Sequence, residues 1–309
     1  MSILTIGTVA FDAIETPFDK VDRILGGSAT YSALAARYFA RPVRLSAVVG
    51  GDFPDEYIEL LRAKGLDLDG LDVIPGGETF FWSGRYHFDL NGRDTLTTDL
   101  NVLAGFDPSL PDSYRDTRIL CLGNLDPKIQ LSVLEQVDNP DIVVCDTMNY
   151  WIENTPAELV DVLSKVDALI INDEEARQLA DEPNLVRAAN SIRAMGPDIL
   201  VIKKGEHGAM LFLDGDIFWA PALPLEDIVD PTGAGDTFMG GFAGHLAQCS
   251  RIDDDELKRA VVMGSTMASF CVEKFGPENL YELTAEEIAA RVESFKSLSA
   301  IPARVVESA

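Results

Sequence analysis

The sequence predicts an α/β fold, with a mostly parallel central sheet carrying helices on both faces. Two observations predict it. Apolar runs that read as buried strands alternate with helical patterns along all 309 residues, as in chains built from strand–helix–strand units. No tandem repeat or low-complexity linker interrupts the rhythm, so residues 1–309 are expected to form a single domain.

Taken in order, residues 3–12 (ILTIGTVAFD) read as the first strand, and residues 28–40 (SATYSALAARYFA) as a helix opened by Gly26 and Gly27. Residues 44–52 and 54–65 repeat the strand–helix pair. Residues 78–100 (ETFFWSGRYHFDLNGRDTLTTDL) break the pattern, because aromatic and polar residues alternate there around the turn DLNGRD. With a segment near 12–24, residues 78–104 predict a small antiparallel sheet laid over the main one as a lid. Phe80, Trp82, Tyr86 and Phe88 share one of its faces and Phe81, Arg85 and His87 the other, and period two does not say which is inward. Strands are expected again in residues 117–125, 140–148, 166–175 and 197–205, and helices in 157–166, 174–180, 185–196 and 236–248. The segment from Asp253 onward reads as helical, with small residues turned to the sheet.

Composition narrows the class. No apolar run approaches the roughly 20 residues of a membrane-spanning helix. Residues 2–12 lack a basic start and a small-residue cleavage site, so no secretory signal is expected. Cys121, Cys145, Cys249 and Cys271 are scattered and suit separate thiols in a reducing compartment, which makes the cytoplasm the expected location. A formal net charge of −26 disfavours nucleic acid and acidic membranes as partners, and neither is expected.

The densest chemical signal is DPTGAGDTFMGGFAGHLA, residues 230–247. Gly233, Ala234 and Gly235 carry almost no side-chain bulk, so backbone N–H groups can converge on one oxyanion. The helix that starts there adds the positive end of its macrodipole. Asp236 places a carboxylate where an anion is expected. Taking a proton from a hydroxyl as it attacks phosphorus would explain it.

The string DPTGAGDTFMGGF also resembles the C-terminal motif of the ribokinase-like (PfkB) family of carbohydrate and nucleoside kinases. Gly26 and Gly27 resemble that family's first Gly-Gly motif, and VGGDFPDEYIELLRAKGLDLDGL its next block. The resemblance implies a ribokinase-like fold with Rossmann-type layering, in which the lid is the family's β insert. It further implies ATP, Mg²⁺ and a small sugar or nucleoside as ligands, with Asp236 as general base and Gly233, Ala234 and Gly235 as the anion hole. Asp12, at the end of the first strand, is the implied contact to sugar hydroxyls, with Gly26 and Gly27 admitting the substrate. NDEE (Asn172 to Glu175) resembles the family's N-x-x-E motif, so Asn172 and Glu175 would organise Mg²⁺ through water. VIKKGEHGAMLF resembles the strand–turn–strand along the nucleotide phosphates, with Gly205 and Gly208 at its glycine positions. Lys203 or Lys204 would supply positive charge there; alternation lets one face the site, and Lys203 is favoured. Asn101, after the lid, and Asn124 and Asn149, at strand ends, either touch the substrate or serve as caps. Asp230 and the loop near residues 269–276 match the region where many members hold a monovalent cation, K⁺ or Na⁺. Lids in the family work alone or pair two chains, so a monomer or a homodimer through the lid is expected.

The reading is an ATP-dependent kinase transferring the γ-phosphoryl group to a hydroxymethyl group; the alternative is a catalytically silent sensor of the same fold. A nicotinamide dehydrogenase is disfavoured, because the first strand runs into GTVAFD without a G-x-G-x-x-G turn. The acidic composition fits a high-salt medium, where screening relieves self-repulsion. Fold and activity should therefore weaken as KCl is withdrawn, followed by circular dichroism; indifference to salt would remove that reading.

Overall fold

The structure, a computed structural model, describes residues 1–300; the remainder of the expected single domain, 301–309, lies outside the described residues. In chain order the elements begin with β1 (Ile3–Ile6), β2 (Ala10–Glu15), β3 (Lys20–Gly26), α1 (Ser28–Ala36), β4 (Val43–Gly50), α2 (Asp55–Ala63) and β5 (Leu66–Ile74). A hairpin of β6 (Phe81–Tyr86) and β7 (Arg93–Asp99) follows, then β8 (Ile119–Leu122), α3 (Pro127–Leu134), β9 (Ile142–Cys145), α4 (Asn149–Asn154) and α5 (Pro156–Leu163). Next come β10 (Ala168–Asn172), α6 (Asp173–Ala180), α7 (Leu185–Arg193), β11 (Ile199–Lys203), β12 (Ala209–Phe212) and β13 (Ile217–Ala220). The helices α8 (Ala234–Gln248), α9 (Asp254–Cys271) and α10 (Ala285–Ser299) complete the order.

The main sheet has nine strands in the order β13-β12-β11-β10-β9-β8-β1-β4-β5, parallel from β11 to β5, with β12 and β13 antiparallel at one edge. β1, β4, β8 and β9 are buried along their whole length, because helices cover both faces. One face packs against α1, α2, α8, α9 and α10, and the other against α3, α5 and α7. β1 lies between β8 and β4, where the strand order reverses. Loops leaving the carboxyl ends of strands part at such a point and open a crevice for ligands.

A second sheet, β3-β2-β6-β7, forms the lid. It departs from expectation in two ways. Residues 3–12 are not one strand: β1 ends at Ile6 and β2 begins at Ala10, in the other sheet. The break arises where the chain wraps the start of α1. There the Thr8 N–H donates to Ser28 Oγ (3.0 Å), and the Ser28 N–H donates to Thr8 Oγ1 (2.9 Å). The lid is also not wholly antiparallel, since β2 pairs parallel with β6.

Helix α8 runs against both α1 and α9, and its glycines set the spacing. A Cβ added at Gly240 would overlap the Ser32 carbonyl oxygen of α1, and one at Gly241 would lie 2.9 Å from the Met263 carbonyl oxygen of α9. Backbone rather than a side-chain tip lies opposite, so neither position can relax cheaply. Gly240→Ala should lower stability by about 1–3 kcal/mol through overpacking, despite the roughly 1 kcal/mol that alanine contributes in a helix. Urea unfolding reads the change; an unaltered midpoint would mean that α1 and α8 have slack.

Candidate active site

The N-terminus of α8 faces the crevice without a side-chain cap. Gly233, its N-cap, has φ 75°, a left-handed conformation that suits glycine, and a Cβ there would overlap the Tyr31 ring packed beneath it. The Ala234 N–H turns back to the Pro231 carbonyl at 3.2 Å. The N–H groups of Gly233 and Gly235 have no backbone partner among the described residues, so they are the donors left for an anion. Lys203, at the end of β11, packs against this turn: a Cβ at Gly235 would lie 2.7 Å from its Nζ. Lys204 points the other way, its Nζ 3.9 Å from the Asp173 carboxylate.

Asp236, half-buried in the first turn of α8, is pushed up to about 7. Burial is the main cause and the Asp146 charge the next, while Lys203 and Arg93 pull it down. Asp146 follows β9, lies 3.9 Å from Lys203 Nζ and is itself raised by burial against the pull of Lys203. Glu175 is buried and also pushed up to about 7, by burial first and Asp146 second.

Asp12 lies in β2 of the lid rather than at the end of β1. It is nonetheless buried in the same cleft, where a Cβ at Gly26 would overlap its carboxylate. Burial, then Asp230 and Asp236, push it up to about 8. Gly27 has φ 97° and caps α1, with the Thr8 carbonyl where a Cβ would sit. Asp230 is fully buried; its Oδ1 accepts the Thr232 N–H (2.8 Å) and its Oδ2 the Gly276 N–H (3.2 Å), and burial raises it.

Asn172 and Glu175 form a reciprocal capping box at the start of α6: Asn172 Oδ1 accepts the Glu175 N–H, and Glu175 Oε2 accepts the Asn172 N–H, both at 2.8 Å. Glu175 Oε1 has no hydrogen-bond partner among the described residues. Gly205 (φ 52°) and Gly208 (φ 97°) shape the turn between β11 and β12. The lid tip meets that turn, where Asn91 Nδ2 donates to Glu206 Oε1 at 3.2 Å. Two predicted residues are engaged elsewhere. Asn101 donates to the Thr79 carbonyl (2.9 Å), pinning the chain as it leaves the lid. Asn124 accepts from Trp151 Nε1 (2.9 Å) and faces Met148 Sδ. Asn149 is the first residue of α4.

The lid's inward face is the one with Trp82 and Tyr86. Tyr86 is buried and its hydroxyl meets Thr232 Oγ1 at 3.0 Å, while Arg85 turns out to an ion pair with Glu15. Phe88 lies beyond the strand, exposed and in tilted contact with the Phe18 ring. Arg93 stands opposite Tyr86 in register and therefore shares the inward face. Its guanidinium lies 5.7 Å from the Trp82 ring centre. It makes no ion pair or hydrogen bond among the described residues, and its field pulls down both Asp236 and Glu175. Arg93, Asp146 and Tyr31 were absent from the sequence-based set. The signal for Arg93 was its place just after the DLNG turn on an alternating strand; nothing local marked the other two.

The pfkB family carbohydrate kinase model matches residues 2–283. The chain is 29% identical over 280 residues to the cytidine kinase of Thermococcus kodakarensis, covering 89% of this chain and 98% of that one. It is 24% identical to the nucleoside kinase of Methanothermobacter thermautotrophicus, covering 93% and 94%. Among solved structures, the Burkholderia thailandensis nucleoside kinase in complex with inosine superposes with a TM-score of 0.78 at 21% identity, covering 94% of this chain and 97% of that one. The Methanocaldococcus jannaschii nucleoside kinase gives a TM-score of 0.77 at 19% identity, covering 95% and 98%. The fold is therefore ribokinase-like, and the chain belongs to the pfkB family of carbohydrate kinases, phosphotransferases that act on an alcohol group.

Proposed function

We propose that this kinase transfers the γ-phosphoryl group of ATP to the hydroxymethyl group of a nucleoside or sugar, with Asp236 as general base. The observation that carries the reading is the juxtaposition at the start of α8. A carboxylate, free backbone N–H groups and the Lys203 ammonium meet there on one turn. A nucleoside is the favoured acceptor, because relatives of this length are named as cytidine and nucleoside kinases and the inward lid face offers the Trp82 ring for stacking.

Asp236, poised near neutrality, accepts the proton of the attacking hydroxyl. The Gly233 and Gly235 N–H groups and the α8 macrodipole hold the charge that gathers on the transferred phosphoryl oxygens. Lys203 adds a point charge from one side. Arg93 brings a second from the lid, so that closing the lid both excludes water and completes the anion site. Asp12, seated against Gly26, accepts hydrogen bonds from sugar hydroxyls. Hard oxygen donors suit Mg²⁺, and the free Glu175 Oε1 and the Asp146 carboxylate would hold it, directly or through water. When bound, that ion neutralises phosphate charge. At Asp230 a monovalent cation, K⁺ or Na⁺, would offset a buried carboxylate that has no cationic side chain paired with it among the described residues. The four free thiols suit a reducing compartment, which supports a cytoplasmic enzyme. A homodimer would pair through the open edges of the lid sheet, β3 and β7.

ADP release from Mg-ATP across a panel containing cytidine, inosine, ribose and fructose tests the reading. Asp236→Asn should lower kcat by about 10²–10⁴-fold with KM little changed. Near-normal turnover in that variant would refute the base. Arg93→Ala should lower kcat, and added salt should not restore it; an unchanged kcat would remove the lid arginine from the mechanism.

A further inference from the structure

At the opposite end of α8, away from the cleft, a histidine, a cysteine and a glutamate converge. His245 lies in the last turn of α8, Cys249 is its C-cap, and Glu256 lies in the first turn of α9. His245 Nε2 is 2.8 Å from Glu256 Oε2, and Cys249 Sγ is 3.3 Å from the same oxygen. One ligand atom from each lies within 4.8 Å of the others. We propose that these residues form a binding site for a borderline-soft divalent cation of the zinc class, which ties the end of α8 to the start of α9.

The donor set selects the ion. Imidazole, thiolate and carboxylate suit zinc and its neighbours, whereas Mg²⁺ and Ca²⁺ take oxygen ligands. A tetrahedral ion about 2.0–2.3 Å from each ligand atom sets those atoms roughly 3.3–3.8 Å apart. The spacing observed needs only small side-chain movements to reach that. The carboxylate is already oriented. Arg259 Nη1 holds Glu256 Oε1 at 2.6 Å, and the Asp253 carboxylate accepts the Glu256 N–H at 3.1 Å, so Oε2 is the oxygen turned to His245 and Cys249. Outer partners of this kind fix a metal ligand's orientation.

Access also favours the site. Cys121, Cys145 and Cys271 are buried, whereas Cys249 is half-buried, as are His245 and Glu256. An ion can therefore enter from solvent, and water completes the fourth position. Binding exchanges the Cys249 thiol proton for the ion and releases that proton to bulk water, while His245 binds as the neutral imidazole. The helix of 15 residues keeps this end about 22 Å from the anion site. The two sites can thus be read separately.

Metal-free full-length protein, titrated with Co²⁺ in KCl with Mg²⁺ present, tests the proposal. One equivalent should give a thiolate-to-cobalt charge-transfer absorption, and Zn²⁺ at about 100 times its Kd should raise Tm by roughly 5 °C. Cys249→Ser should abolish the absorption with the circular dichroism spectrum unchanged. His245→Ala should weaken Co²⁺ binding at least about tenfold. Absence of the band at one equivalent would overturn the proposal, as would a band that survives Cys249→Ser. Should the serine variant not fold, undiminished Co²⁺ affinity in His245→Ala would overturn it equally.

Discussion

The structure turns on a crowd of acidic side chains gathered around one helix N-terminus with few cations to balance them. Asp12, Asp146, Glu175, Asp230 and Asp236 are all raised by burial, and Asp12, Glu175 and Asp236 also feel a neighbouring carboxylate. Lys203 is the ammonium set among them, and Arg93 reaches them from the lid. An arrangement of this kind opposes folding in the free protein, since each charge is desolvated and several repel. It becomes favourable when the cleft holds a cation and hydroxyl donors. The same acidity that strains the free site suits it chemically to cations and hydroxyl donors.

The surrounding packing holds that arrangement in place. Tyr31 of α1 fills the space beneath Gly233, so the left-handed turn at the head of α8 has a rigid floor. Gly240 and Gly241 bring α8 against α1 and α9, which fixes where the helix points. On the other side, Tyr86 touches Thr232 and Asn91 touches Glu206, so the lid rests on the anion turn and on the β11–β12 turn together. The lid is thereby coupled by direct contact to the turn that opens α8, and Arg93 arrives with it.

Much of this was legible in the sequence where the signal is local. A run of small residues followed by an acid at a helix start marked Gly233, Gly235 and Asp236, and the strand alternation separated Lys203 from Lys204. The pattern was coarser where long-range contacts decide. Residues 3–12 read as one strand because apolar residues predominate from Ile3 to Phe11, yet the Thr8–Ser28 pair bends them into two sheets. The parallel β2–β6 pair joins segments distant in sequence, which no hairpin signal reports. Asp146 and Tyr31 carry no motif of their own; they matter because β9 and α1 end beside α8. Ala234 was read as an anion-hole donor, but its N–H closes the turn onto Pro231. Asn172 and Glu175 were placed by motif, and their reciprocal cap is the local physics beneath it.

The carboxyl groups raised to about 7 or 8 retain protons in the folded protein that the unfolded chain releases near pH 4. Their contribution to stability is therefore fully present at low pH and is lost as pH rises through about 7 to 8. The most direct measurement is Tm of the ligand-free protein from about pH 5.5 to about pH 8.5 at fixed KCl, beside Asp236→Asn. The account predicts a Tm that falls across this range in the free protein, with a shallower fall in the variant. A Tm that stays level or rises, or a variant that follows the parent, would contradict the claim that buried, mutually repelling carboxyls define this site.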